Sequence, residues 1–410
     1  MVETTCIGCG LATTKPVIDL GPQPPSNRFL KRRDERCETH VLRFGYCPAC
    51  GLAQLSDPMS VETVRSRYAW ITYNEPESHL DNLVDSLVRV AGLDRDTRIT
   101  GVTYKDDSTL ARFRSRGVTN LARLDQARDL EIADPLASLE TVQERLTADR
   151  AAAIAGRGHR ADIVIARHVL EHAHRPSQLL AACERLAKPG GWLVFEVPDE
   201  RKVFEGHDHC FLWEEHIAYF TPATLKAFLD ASGFLDARLD VVPYPLESSI
   251  IAIVRNVRTA PRSPGAMDGE SGRVESFGAS LAERATKVRK YLRSLQAENK
   301  KVAVFGAGHL AAKFINFYQL APLIVAVIDD KSNKQKLFMP GSAVPIVDSS
   351  WLDEGRVDVC LLTLNPESEQ KVLRAKAGYT GRGGQFRCIF SDGSNSIDLE
   401  LEGDRTRAHQ

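Results

Sequence analysis

Apolar residues recur along this chain in two rhythms. From His79 to Val90 they return every three or four positions, which predicts an amphipathic helix. The runs Asp162-Ile-Val-Ile-Ala-Arg167 and Trp192-Leu-Val-Phe-Glu196 are short and unbroken, as expected of strands buried on both faces. A helix is predicted between them over Ser177–Leu186, stopping before Pro189-Gly190-Gly191. Upstream, Thr97–Thr103 reads as a strand and Thr109–Arg116 as a helix. Strands that alternate with helices argue for an α/β fold with a doubly wound parallel sheet. Pro261–Gly272 is rich in Pro, Gly and Ser and has no period, so it reads as a linker or loop. A long helix is expected from Val274 to Asn299, and Lys301-Val-Ala-Val-Phe305 opens a second α/β unit. No internal repeat is visible.

Composition narrows the class. The 410 residues exceed one ordinary domain, and 43% hydrophobic with 26% charged residues is globular. Lys and Arg number 53 against 54 Asp and Glu, for a net charge of −1, so no overall attraction to nucleic acid or to an anionic membrane is expected. No apolar run approaches the roughly 20 residues that span a bilayer, and no signal peptide is apparent, so the expectation is a cytoplasmic protein. A monomer or small homo-oligomer is expected.

The nine cysteines are an odd number, which disfavours a fully paired disulfide framework. Four of them form Cys6-Ile-Gly-Cys9-Gly10 and Cys47-Pro-Ala-Cys50-Gly51. Two such pairs make a closed tetrahedral zinc site, structural because no position is left for water. The insert between the pairs is long for a zinc ribbon and should form a small subdomain. Cys37, within it, is a spare thiol.

The chemistry concentrates where predicted strands end. Arg167, His168, Glu171 and His172 follow one strand, and open α/β sheets bind ligands outside the carboxyl ends of their strands. Downstream stands His207-Asp-His-Cys-Phe-Leu-Trp213-Glu214-Glu215-His216-Ile-Ala-Tyr219-Phe220. With the cysteine pairs and Pro340-Gly341-Ser-Ala-Val-Pro345, this stretch resembles the three-domain sugar C-methyltransferases of deoxysugar biosynthesis, over nearly the whole chain and in the same order. The resemblance implies a zinc-binding N-terminal domain (1–67), a class I methyltransferase domain for S-adenosylmethionine (68–258), a linker (259–273) and a Rossmann-like C-terminal domain (274–410). It also implies a 4-keto nucleotide-sugar substrate, methylated beside the ketone through an enolate. By matching position, His216 would be the base, Glu215 would orient it or contact the sugar, and His172 would meet the enolate oxygen. A neutral imidazole suits such a proton transfer. Tyr68 or Tyr73 falls near an aromatic substrate site of the family, and Trp213 stands where a Tyr is usual.

Two glycine turns complete the picture. After the first methyltransferase strand the chain reads Ile99-Thr-Gly101-Val-Thr103-Tyr-Lys-Asp106-Asp107-Ser108. Only Gly101 remains of the family's glycine-rich cofactor turn, and Ser108 stands at a turn-glycine position. Gly101, Thr103, Asp107, Arg167 and His168 are the candidate cofactor contacts, with Asp125 the candidate acid for the ribose. In the C-terminal unit, Phe305-Gly306-Ala-Gly308-His309-Leu-Ala311 places a helix N-terminus where phosphate can bind, and Asp329-Asp330 lie at the usual ribose offset. Taken alone, that pattern suggests NAD. Within the resemblance the domain binds no nicotinamide, and Gly306, Gly308, His309 and Lys313 are candidate nucleotide-sugar contacts. Lys331, Lys334 and Lys336 could meet a diphosphate or be solvated surface. Two rivals stay open: a non-methylating relative that uses the same sugar site and His216 for proton transfer or elimination, and a noncatalytic nucleotide-sugar binding protein.

Overall fold

The structure, a computed structural model, describes residues 4–11, 13–65, 76–265, 267–391, 393 and 395–401. It divides into two units. The first comprises 1–16, 44–200 and 215–272, and the second 17–43, 201–214 and 273–410.

The first unit is built on a six-stranded sheet. In space the strands run Leu121–Arg123, Ile99–Gly101, Ala161–Arg167, Ala187–Asp199, Ser248–Arg255 and Arg238–Val242. The first four are parallel, and Ser248–Arg255 is antiparallel to both its neighbours. Side chains alternate across each strand. Ile163 and Ile165 pack with Leu80, Leu83, Val84, Leu87, Leu110 and Phe113 on one face. Val164 and Ala166 pack on the other with Leu179, Leu180, Cys183, Leu186, Leu225 and Phe228. Chain order reverses between Ile99–Gly101 and Ala161–Arg167, which makes that gap the sheet's topological switch point and the place to look for a ligand.

The predicted elements appear with shifted ends: helices at Leu80–Ala91, Asp107–Ser115 and Pro176–Leu186, and a strand at Ile99–Gly101. Gly92, at φ 60°, ends the first helix in the left-handed conformation that glycine favours. Two expectations change. Pro189-Gly190-Gly191 lies inside the strand Ala187–Asp199, where it shifts the register against Ala161–Arg167. The expected linker over 259–273 already carries the start of the long helix, which spans Asp268–Ala297. Asp268 and Glu270 in its first turn favour that earlier start.

The second unit carries a five-stranded parallel sheet, in the order Ile346–Val347, Ala326–Ile328, Val302–Phe305, Val359–Leu362, Gln385–Cys388. Helix His309–Phe317 follows the strand Val302–Phe305, as the glycine turn predicts. The fold class is therefore α/β, with a doubly wound sheet, a second Rossmann-like sheet and a four-cysteine cluster near the N-terminus. Among the described residues no helix is long and apolar enough to cross a membrane.

Candidate functional site

The four cysteines of the two pairs come together. Their sulfurs lie within 4.8 Å of one another, with Cys6–Cys50 and Cys9–Cys47 both at 3.6 Å. Four thiolates about 2.3 Å from a central zinc would be spaced at roughly 3.8 Å, so the cluster fits a tetrahedral ion. Each pair is wound by a tight turn: the Gly10 amide donates to Cys6 O at 3.0 Å and that of Gly51 to Cys47 O at 2.8 Å. Both glycines have positive φ, 67° and 72°, and a Cβ on Gly51 would also press Glu270 and Met267 at 3.0 Å. Cys37 is half-buried and stands outside the cluster.

At the switch point the chain fills the turn with its own side chain. The Asp106 carboxylate accepts from the amides of Val102 and Thr103 at 2.8 Å each, and from that of Arg167 at 3.0 Å. Gly101 allows this approach, because a Cβ there would lie 2.7 Å from Asp106 Cβ. Burial pushes the Asp106 carboxyl up to about 7, against the pull of these donors and Arg167. Arg167 is 1% exposed; its guanidinium donates to Glu196 Oε2 at 2.5 Å and to Lys105 O at 2.6 Å. His79 and His168 lie 2.9 and 3.4 Å from the other Glu196 oxygen. Burial raises the Glu196 carboxyl, but His168, His79 and Arg167 together hold it well below the usual range. His168 itself sits at φ 48°, a strained conformation for histidine. Thr103 is buried, while Asp107 and Asp125 are exposed. Asp125 Oδ1 caps the Arg128 amide at 2.7 Å.

Past the end of the same strand Ala161–Arg167, His172 stands edge to face with His216, ring centres 4.7 Å apart. The backbone fixes this approach: Ile217 and Ala218 amides donate to Glu171 O at 2.7 and 3.0 Å, and the strand Ala218–Tyr219 pairs with Ala53–Leu55. Glu214–His216 is not a helix start, because helix Pro222–Ala231 begins later, capped by Thr221. Glu215 is buried. Behind His172 lies Glu140, 2% exposed, with Oε1 2.8 Å from Nδ1. Burial opposes the charge on each partner, yet their pairing wins. The Glu140 carboxyl is lowered and the His172 imidazole raised. Glu200, fully enclosed near Glu247, Asp199 and Glu171, is raised well above the carboxylate range.

In the second unit the Gly306-Ala307-Gly308 turn is also self-filled. Asp329 Oδ2 accepts from the Ala307 amide at 3.0 Å and from Lys334 Nζ at 3.1 Å, and Lys334 donates to Ala307 O at 2.6 Å. The acid and lysine that could serve a dinucleotide are thus joined to the turn itself. Gly306 is demanded by packing, with φ at 101° and Leu364 2.8 Å from a would-be Cβ, whereas Gly308 has open space. His309 stacks on Trp213 at 4.2 Å and 16°, and burial pushes its imidazole down to about 4. Lys313, 1% exposed, pairs directly with the fully buried Glu214, whose carboxylate also takes the Ser26 amide.

Of the expected catalytic set His216, Glu215 and His172, the two histidines stand with ring centres 4.7 Å apart, and the four expected zinc cysteines lie within 4.8 Å of one another. Sequence reasoning missed Asp106, Glu140, Glu196 and His79 as site residues. Glu140 sits inside an ordinary amphipathic pattern, Leu139–Arg145, and gave no signal; Asp106, beside the depleted glycine turn, could have been found. Tyr68 and Tyr73 lie outside the described residues.

Three family models match in succession: a zinc binding domain over 6–64, a methyltransferase domain over 70–237 and a C-methyltransferase C-terminal domain over 265–390. Among curated proteins, the ubiquinone biosynthesis O-methyltransferase of Paraburkholderia xenovorans is 28% identical over 179 residues, 42% of this chain and 72% of that one. The protein of the same description from Cereibacter sphaeroides is 41% identical over 64 residues, covering 15% of this chain and 26% of its own. Most of the matching curated relatives are spanned over less than two thirds of their length. Among solved structures, Burkholderia thailandensis 1,6-didemethyltoxoflavin-N1-methyltransferase aligns with TM-score 0.30 and 15% identity, over 44% of this chain and 79% of that one. Magnesium protoporphyrin IX methyltransferase from Synechocystis aligns with TM-score 0.28 and 15% identity, over 46% and 87%.

Proposed function

We propose that this chain, which has the three-domain C-methyltransferase architecture, methylates a carbon beside the ketone of a nucleotide-linked keto-deoxysugar. The observation that carries the reading is the His172–His216 pair at 4.7 Å, with Glu140 behind His172. His216, half-buried, takes the proton on the carbon α to the ketone; the C–H electron pair moves into the enolate and the proton stays on the imidazole. His172, held by Glu140, offers its other ring nitrogen to the enolate oxygen, where charge develops. Glu215 orients the base or touches the sugar.

S-adenosylmethionine and zinc are the cofactors of this architecture. The donor sets fit both. The cysteine sulfurs have the spacing of a zinc tetrahedron, and the ion would hold the N-terminal turns together without chemistry. Asp125, exposed past the strand next to the switch point, keeps an oxygen for a ribose diol, while Gly101 and Thr103 are buried at the end of the neighbouring strand. When bound, S-adenosylmethionine supplies an electrophilic methyl group. Arg167 reaches a cofactor only indirectly, since its guanidinium is committed to Glu196 and Lys105 O. Trp213, His309 and Lys313 form a packed cluster in the second unit, with Gly308 the open part of that turn. This supports a nucleotide subsite lined by the turn rather than by Lys313.

A second reading has one specific support. Asp106 already occupies the amides of Val102 and Thr103, which favours a relative that removes the proton and transfers no methyl group. The curated O-methyltransferases share at most 42% of this chain, so an oxygen acceptor is the weaker alternative. Solvent-deuterium exchange into a 4-keto nucleotide sugar tests the base: wild type should exchange the α-proton without S-adenosylmethionine, and His216→Asn should lose turnover by at least about 10² while keeping sugar affinity. Near-normal exchange in that variant sends the base elsewhere. Exchange without methyl transfer supports the second reading.

A further inference from the structure

The carboxyl end of the sheet holds a second group of potential metal ligands beside the cysteines. One carboxylate oxygen of Glu171, one nitrogen of His172 and one of His216 lie within 4.8 Å of one another. Two imidazoles and a carboxylate are a common ligand set for divalent transition metals. Bonds of about 2.0–2.2 Å would require the three atoms to draw together by roughly an ångström, a matter of side-chain rotation.

An independent observation points the same way. Glu171 is 1% exposed, and neither carboxylate oxygen has a hydrogen-bond partner among the described residues. His168 Nδ1 lies 3.4 Å from Oε1, beyond good hydrogen-bond reach. A buried carboxylate with unmet oxygens is costly unless something charged or donating arrives. His172 is also prepared as a ligand. Glu140 stands 2.8 Å from Nδ1, and metal-bound histidines generally have just such a carboxylate behind their second ring nitrogen. His216 is only half-buried, which leaves room for water or substrate at further coordination positions.

We infer that Glu171, His172 and His216 form an open, three-ligand site for a divalent transition-metal ion, and that its occupancy silences the base. The ion takes the His216 lone pair that would otherwise accept the α-proton. Metal-free, the triad is the working form; metal-bound, it is inhibited. The binding claim stands on the geometry alone, whereas the inhibition claim rests on His216 being the base.

The test is a cobalt titration of the zinc-loaded full chain. One further Co²⁺ should bind, with visible d–d absorption and no thiolate-to-cobalt charge transfer, which separates it from exchange at the cysteines. Glu171→Gln and His216→Gln should each weaken binding at least tenfold, and Glu140→Gln about 10–100-fold, the usual effect of losing a carboxylate behind a metal-bound histidine. Retained zinc and an unchanged melting curve certify that each variant is folded; should one fail this, the other two decide. Absence of a further Co²⁺, or binding that all folded variants retain, overturns the site. On wild type, Co²⁺ should slow α-proton exchange in step with occupancy. If the ion binds and exchange holds or quickens, the inhibition claim falls and His216 is not the base. If no ion binds while His216→Asn has lost exchange, the site falls and the proposed function stands.

Discussion

The buried Glu214–Lys313 pair gives the sharpest test of which lysines serve the fold and which the ligand. Both side chains are at most 2% exposed, and the carboxylate's remaining contacts are to the Ser26 amide and hydroxyl. At an effective interior dielectric, a contact ion pair contributes about 4 kcal/mol of attraction, largely offset by the cost of taking both charges out of water. Lys313→Met removes the attraction and leaves that cost on Glu214, so it should destabilise the second unit by about 3–5 kcal/mol. Glu214→Gln in the same chain should recover most of the loss. A carboxamide oxygen can still accept the Ser26 amide, and no charge remains buried. Guanidinium unfolding of wild type, both single variants and the double variant, followed by far-UV circular dichroism, measures the cycle. Calorimetry with a nucleoside-diphosphate sugar runs beside it. The reasoning is refuted if Lys313→Met unfolds like wild type, and above all if it does so while losing sugar-nucleotide affinity. Lys313 would then be a diphosphate ligand and not a structural cation.

Three other outcomes are expected. Elemental analysis should give about one zinc per chain, and chelation should loosen the Cys6–Cys50 region before the rest, because metal binding is folding energy for such knots; a fully folded metal-free preparation would contradict this. Burial pushes the His209 imidazole down to about 3, between Phe277 and the Tyr318 hydroxyl. The native state therefore refuses a proton that the unfolded chain accepts below about 6.5, and stability is lost as pH falls through that window, by about 2 kcal/mol at pH 5. His209→Gln should flatten the melting-temperature profile between pH 7.5 and 5, and an unchanged slope would show that this histidine is not responsible. Titration with S-adenosylhomocysteine should release heat in wild type; silence well above micromolar protein would move the assignment to the non-methylating reading.

Much of the scaffold was legible because its signals are local. Two Cys-x-x-Cys pairs point to one ion whatever lies between them, and Ile163–Ala166 could hardly be anything but a strand buried on both faces. The boundaries were less legible. The long helix starts at Asp268 because acidic residues favour a helix N-terminus, a weaker mark than the Pro and Gly that precede it. Distant partners that no motif marks were not legible. Nothing near Glu140 says that it ends up 2.8 Å from His172, and nothing near Lys334 says that it closes the Gly306 turn through Asp329. Those contacts arise from tertiary packing, on which residue periodicity is silent.

Each of the two units is assembled from three separate stretches of chain, so the polypeptide passes from one to the other five times. This sets a schedule for biosynthesis. The first unit lacks its last stretch until residue 272 has left the ribosome, long after its four cysteines have emerged. Cys6 and Cys9 wait for Cys47 and Cys50, and the sheet waits longer for Ser248–Arg255, the strand that joins Ala187–Asp199 to Arg238–Val242. Early contact-making is therefore long-range, and folding should be slow for a chain so rich in helices. It also means that no single cut releases either unit intact. Fragments made at the apparent domain borders would carry orphaned pieces of both units, and would be clients for chaperones and proteases before they were anything else.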